Sequence, residues 1–123
     1  MSCPFAKFIE LYRTTSGVVS QCNNQNCYWL EFGGQTTAFR VSDFLAFKKE
    51  LDAIDLEAML ADPSPGADYV ILMPLRNPHC FVLDVMDILS LRELLDGAKF
   101  MIELNSLIKS HALDFSLPEA QFA

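Results

Sequence analysis

The sequence has few of the residues that mark enzymes and nucleic-acid-binding proteins. It contains two histidines and one tryptophan, and nine basic residues face sixteen acidic ones, which gives a formal charge of −7 and a pI near 4.6. A protein that binds a polyanion normally carries a basic face, whereas here the single basic cluster, Lys48-Lys49, is flanked by acidic residues. We therefore expect binding neither to nucleic acids nor to a membrane surface.

Long apolar runs and targeting signals are also lacking. The longest apolar run, at residues 69–75, is much shorter than the ~18 to 20 residues of a membrane span. The first residues show no basic region followed by an apolar one, so no signal peptide is predicted. Four cysteines without a secretion signal predict a cytoplasmic, reducing environment, in which thiols stay reduced or bind metal.

Motifs of known catalytic chemistry are missing as well: there is no haem-attachment site, no glycine-rich phosphate loop and no His-Glu-x-x-His. His79 precedes Cys80, but neighbours on a strand point to opposite faces and cannot act as base and nucleophile. Asp84 and Asp87 could be buried general acids or bases, although carboxylates on a solvent-facing side of a strand are expected more often. The sequence thus favours a protein that is not an enzyme, and we assign no catalytic residue.

What the sequence does contain is a globular composition. Of its 123 residues, 51% are hydrophobic and 20% are charged, which excludes the profile of a disordered chain. This length suits one domain with one core. We predict a single domain over residues 1–113, followed by a tail over residues 114–123.

The first third of the chain has the alternating pattern of strands. Segments 7–13, 18–22, 28–32 and 35–41 alternate in character, and turn residues separate them: Thr14 to Gly17, a polar turn at 23–26, and the pair Gly33-Gly34. Because the connections are short, these four strands are predicted to form an antiparallel meander.

The pattern then changes to helical spacing, with Phe44, Phe47, Leu51, Ile54 and Ala58 forming one stripe. A helix is predicted over residues 43–55, capped by Ser42, with fraying or a kink on to residue 60. Residues 69–73 predict a fifth strand in the centre of the sheet, and residues 79–89 predict a sixth, bulged strand.

A capping-box pattern, Ser90-Leu91-Arg92-Glu93, predicts that a last helix begins at residue 91 and runs to about residue 111. The predicted order is therefore β-β-β-β-α-β-β-α. This order indicates an α+β fold, an antiparallel sheet with two helices packed on one face.

The last helix has more apolar surface than one sheet can cover. Phe100, Leu104 and Leu107 lie outside the broad face that includes Leu91 and Leu95. Unpaired apolar patches of this kind tend to mark interfaces, so these three residues are the candidate interface of a homodimer or of a complex with another protein. Alternatively, the other helix or the C-terminal tail could cover these residues, and the last helix would then be an interior helix of a monomer.

The cysteines are the candidate metal ligands. Cys22 and Cys27 stand at the two ends of the polar turn and could supply half of a tetrahedral zinc site, with Cys3, Cys80 or His79 completing it. The same pair could form a disulfide, or the thiols could pack as small buried hydrophobes. A small zinc-binding protein is therefore the alternative function.

Several of these features also occur together elsewhere. The early cysteine, the cysteine pair, the Trp-Leu-Glu-Phe-Gly-Gly run at 29–34, the Ser-Asp-Phe helix start at 42–44 and the box at 90–94 resemble a family of small cytoplasmic proteins from Bacteroidota-type bacteria. The resemblance covers about residues 3–110 and implies no activity, because the family is uncharacterised. Its cysteine pair is usually separated by two residues, whereas four intervene here.

Overall fold

The computed structural model describes residues 8–22, 27–74 and 76–115, with side chains up to residue 110. Cys3, the predicted turn at 23–26 and the tail from residue 116 onward lie outside the described residues. The described elements follow in chain order: β1 (Phe8–Thr14), β2 (Gly17–Cys22), β3 (Cys27–Phe32), β4 (Gln35–Arg40), α1 (Val41–Asp52), α2 (Leu56–Ala61), β5 (Val70–Leu72), β6 (Phe81–Leu83) and α3 (Val85–Phe115). The predicted α+β fold is confirmed, with the short helix α2 as an addition.

The first four strands form one antiparallel sheet in the order β1-β2-β3-β4, as the meander prediction requires. Val19, Leu30 and Thr37 are aligned across three strands, and none of them is exposed to solvent. Helix α3 packs against β1 and β2, while α1 packs against β3 and β4, so both helices cover this face of the sheet.

Aromatic side chains fill the space between α1 and the sheet. Phe39 of β4 contacts Phe44 and Phe47 of α1, with ring centroids 5.8 and 5.2 Å apart. Tyr28 extends this cluster on one side, and Phe81 of β6 extends it on the other. Because each of these rings is buried, burial of apolar surface is the main contribution of α1 to stability.

The bounds of the first helix differ from the prediction. Helix α1 begins at Val41, directly after β4, and Ser42 is exposed within its first turn rather than capping it. The helix ends at Asp52 because the guanidinium of Arg92 donates hydrogen bonds to the carbonyl oxygens of Leu51, Asp52 and Ile54 at 2.7–3.4 Å. The chain then turns into α2.

The predicted sixth strand over 79–89 was wrong in its second half. Strand β6 covers only three residues, and α3 already begins at Val85. The amide of Asp87 donates to Asp84 Oδ1 at 2.8 Å, and the amide of Asp84 donates to Asp87 Oδ2 at 3.2 Å. This reciprocal pair is a capping box with Asp in the position of the usual Glu, so the box predicted at Ser90 lies inside the helix.

The predicted position of the fifth strand was also wrong. Strand β5 is not central in the main sheet; it pairs only with β6, in a separate two-stranded antiparallel sheet. Val70 and Leu72, on the inner side of β5, pack against the hydrophobic core. The outer side of β5 faces solvent.

Helix α3 is much longer than the sheet that it covers. Its 31 residues span about 46 Å, whereas six or seven strand residues span about 20 Å. The fully buried side chains of α3 are Ile88, Leu91, Leu94, Leu95 and Ala98. From Glu103 to Ser110, the one described side chain that is not exposed is Leu104. The C-terminal part of α3 therefore extends past the core.

Candidate interaction surfaces

The first candidate surface lies on the part of α3 that extends past the core. Phe100 is 62% exposed, Leu107 is 55% exposed and Leu104 is half-buried. At 100° per residue these three side chains lie within about 60° of one another, and their mean direction is nearly opposite to that of Leu91 and Ala98. We call this set of three residues the α3 stripe. The sequence predicted these three residues on one side of the helix, and Ile108 is exposed beside them.

Polar side chains border the α3 stripe. Lys99 and Glu103 lie on one flank and form a weak ion pair at 3.9 Å, whereas Lys109 is about 170° away from the stripe around the helix. From residue 99 to residue 115 the helix carries two lysines and two carboxylates, Glu103 and Asp114, although the whole chain is acidic. An apolar strip with a charged border has the composition of an interface between proteins.

The second candidate surface is the outer side of the β5–β6 sheet. Ile71 and Val82 are directly opposite each other in the register, and they are 62% and 56% exposed. Tyr69 and Met73 precede and follow Ile71 at two-residue spacing and are 54% and 71% exposed. We call these four residues the ribbon face. Met86, in the first turn of α3, adds another large exposed apolar side chain nearby in sequence.

Sequence reasoning missed the ribbon face for a physical reason. A strand with apolar residues on both sides normally lies inside a sheet that is covered on both sides, so the run at 69–73 indicated burial. In the single chain only the inner side of β5 is covered. The available signal was Pro74 directly after the run, because proline favours edge strands and strand ends over the centre of a sheet.

The segment before β6 holds the ribbon against the main sheet. Arg76 forms an ion pair of 2.7 Å with the buried carboxylate of Asp43, and the Asn77 side-chain amide donates to the Ala38 carbonyl at 2.9 Å. His79 Nδ1 and the Thr37 hydroxyl are 2.8 Å apart. Since β4 is an edge strand, these contacts cover its open side and fix the ribbon relative to the core.

The predicted metal ligands are only partly brought together. Cys22 and Cys27 are direct register partners at the end of the β2–β3 hairpin, where Cys22 is buried and Cys27 is half-buried. Cys27 also pairs with Arg40 of β4. Arg40 and Thr37 are three residues apart on this strand, so their side chains point to opposite sides of the sheet. The two cysteines therefore lie on one side, and Thr37 with its partner His79 lies on the other. Within the described residues, no group of three or more His, Cys, Asp or Glu side chains is placed to hold a metal ion.

The side of the main sheet that faces away from the helices carries Trp29 and Phe8, whose rings meet edge to face at 5.9 Å. The register places Trp29 between Ser20 and Ala38 on this side. Trp29 Nε1 is buried and has no hydrogen-bond partner among the described groups. An orphaned indole N–H usually costs stability, but one such atom does not by itself define a ligand site.

The residues considered for catalysis have structural roles or lie apart. Asp84 and Asp87 cap α3, and His79 bonds to Thr37 rather than to Cys80. Cys80 is exposed, and the depression that it lines with Asp87 has a volume of about 140 Å³. Sites for small ligands usually exceed about 300 Å³, so this depression lacks the size of a substrate pocket.

A scan against models of protein families finds no match to this chain, and searches of curated proteins and of solved structures find none either. The resemblance to small Bacteroidota proteins therefore stays a prediction. Within the part of the chain that the structure describes, no helix combines the length and apolar character needed to cross a membrane.

Proposed function

We propose that this protein is a non-enzymatic cytoplasmic domain that functions by self-association, with the α3 stripe as its contact to a second copy. The observation that carries the proposal is the exposure of Phe100 and Leu107 on a helix whose opposite face already covers the sheet. A helix that serves only one core needs one apolar face, and α3 has a second.

Charge does not disfavour a second copy as the partner at the stripe. The protein as a whole carries a charge of −7, so two copies repel each other at long range. From residue 99 to residue 115, however, two lysines balance two carboxylates, so this end of α3 adds no net charge to that repulsion.

Light scattering behind a sizing column tests the proposal with the full chain. We expect a mass that rises with concentration toward twice the chain mass of 13.8 kDa. Leu107→Glu places a charge in the stripe and should give the single-chain mass at every concentration. Leu45→Glu changes another exposed leucine, 43% exposed on α1, and serves as the matched control. A wild-type protein that stays monomeric at high concentration would reject self-association.

A small zinc-binding protein is the second candidate function, because the cross-strand pairing of Cys22 and Cys27 brings two thiols to one point. The site would need two further ligands, and of the predicted ones Cys3 lies outside the described residues. Elemental analysis of protein purified without chelator tests this candidate. A zinc-to-protein ratio near one, lost in a Cys22→Ser variant, would support it; a ratio near zero would reject it.

A further inference from the structure

Among the described residues, the ribbon face and the α3 stripe are two exposed apolar surfaces. Resting on the proposed self-association, we infer that they are each other's partners: the α3 stripe of one copy packs on the ribbon face of a second copy, and the same contact recurs reciprocally. The dimer then has a two-fold axis and contains the same contact twice.

The first argument is the area that a stable dimer needs. A large apolar side chain that is half exposed offers roughly 100 Å². The α3 stripe with Ile108 therefore offers about 400 Å² per chain, and pairing two stripes buries about 800 Å² of apolar surface in all. With the ribbon face and Met86 included, the apolar total is about 1,800 Å², which corresponds to the larger interfaces of stable homodimers.

The second argument is the composition of β5. Its residues are apolar on both sides, and such strands are normally covered on both sides. A two-stranded sheet needs a further layer to be stable, and here the core supplies that layer on the inner side alone. A helix laid across the ribbon face would give it the second layer that its sequence indicates.

A charge-swap experiment on the full chain tests this inference. Ile71→Lys changes the ribbon face and Leu107→Glu changes the α3 stripe, and sedimentation equilibrium measures the dimer dissociation constant. Each variant buries an unpaired charge in both copies of the contact, so we expect each to raise that constant about 100-fold or more. Leu45→Glu should leave the constant unchanged.

Mixing the two variants is the decisive step. In the mixed dimer, one contact is native and the other places the introduced lysine opposite the introduced glutamate. We therefore expect the mixture to dimerise within about tenfold of the wild type, and the double variant to do the same. Circular dichroism and thermal melting of each variant, which should match the wild type, show that loss of dimer is not loss of fold.

The alternative outcomes separate this inference from the proposed function. If Leu107→Glu is monomeric while Ile71→Lys dimerises normally, self-association stands but the ribbon is not the partner surface. If Ile71→Lys is monomeric while Leu107→Glu dimerises normally, or if the mixture of the two variants stays monomeric, the reciprocal contact is likewise rejected. A monomeric wild type rejects both proposals.

Discussion

The ring of Tyr12 lies directly against the α carbon of Gly97. A β carbon built at Gly97 would overlap with three carbon atoms of that ring, so only glycine allows α3 to approach β1 this closely. The contact joins the first strand to the middle of the last helix, at the level where the buried part of α3 ends. It therefore fixes how far α3 extends past the core.

Replacing Gly97 with alanine should destabilise the protein. An exposed helix position would gain about 1 kcal/mol from this change, but the clash with Tyr12 should cost about 1–3 kcal/mol more than that gain. Urea unfolding measures the difference. Ser106→Ala, at an exposed position of the same helix, is the control and should be neutral or stabilising. If the Tyr12 ring causes the loss of stability, Gly97→Ala should also be neutral or stabilising in a Tyr12→Ala background.

Arg92 should stabilise the C-terminal end of α1. Arg92→Met keeps the apolar stem but removes the donors that hold the carbonyls of Leu51 and Ile54, so we expect a loss of about 1.5–3 kcal/mol in the free energy of unfolding. Lys49→Met on the exposed side of α1 is the comparison and should change stability by less than about 0.5 kcal/mol. Equal effects of the two substitutions would argue against a capping role.

The ion pair between Arg76 and Asp43 should matter more than a surface pair. Asp43 is buried, so Arg76→Ala leaves a carboxylate without its partner and should cost about 1–3 kcal/mol. Arg13→Ala breaks an exposed pair of similar length with Glu10 and should cost less than about 1 kcal/mol. A double-mutant cycle with Asp43→Asn should show coupling; additive effects would contradict the account.

Stability should fall at alkaline pH partly through Tyr28. Burial raises the pKa of this phenol, so the folded protein keeps its proton where the unfolded chain, with a pKa of about 10, has lost it. The contribution is complete below about pH 10 and declines as the pH rises further. Unfolding free energies measured between about pH 8 and 11 should therefore decline less in Tyr28→Phe than in the wild type, and identical slopes would count against this assignment.

Loss of the proton from Lys48 should also lower the stability of the protein at alkaline pH. Burial lowers its pKa, but hydrogen bonds to Asp52 and Asp96 outweigh this effect, so the net pKa is raised. The stabilisation by its charge is present below the pKa of the unfolded lysine and is lost as the pH rises through the folded value. Measuring Lys48→Met alone and together with Tyr28→Phe separates the two contributions.

The sequence was a good guide to the four-stranded sheet and a poor one to the segment from 69 to 90. Strict alternation and the Gly33-Gly34 turn leave one register for the hairpins, so the strand positions could be predicted closely. Residues 79–89 are apolar almost throughout, and such a run does not distinguish strand from helix. Two capping patterns six residues apart, at Asp84 and at Ser90, then compete, and only the first is used.

The same reasoning explains what could be predicted of the candidate surfaces. Helical geometry alone places Phe100 and Leu107 away from Leu91, so the α3 stripe follows from the sequence. The ribbon face does not, because its apolar residues are the ones expected in a buried strand. Only the three-dimensional arrangement, in which β5 pairs with β6 alone, shows that Ile71 and Val82 are exposed.

Hydroxyl-radical footprinting of the wild-type protein at low and high concentration tests most directly whether a second copy covers the exposed end of α3. We expect Phe100 and Leu107 to be labelled in dilute solution and to become several-fold protected as the concentration rises, while Leu45 is labelled equally throughout. Labelling of Phe100 and Leu107 that does not change with concentration would contradict self-association through the α3 stripe.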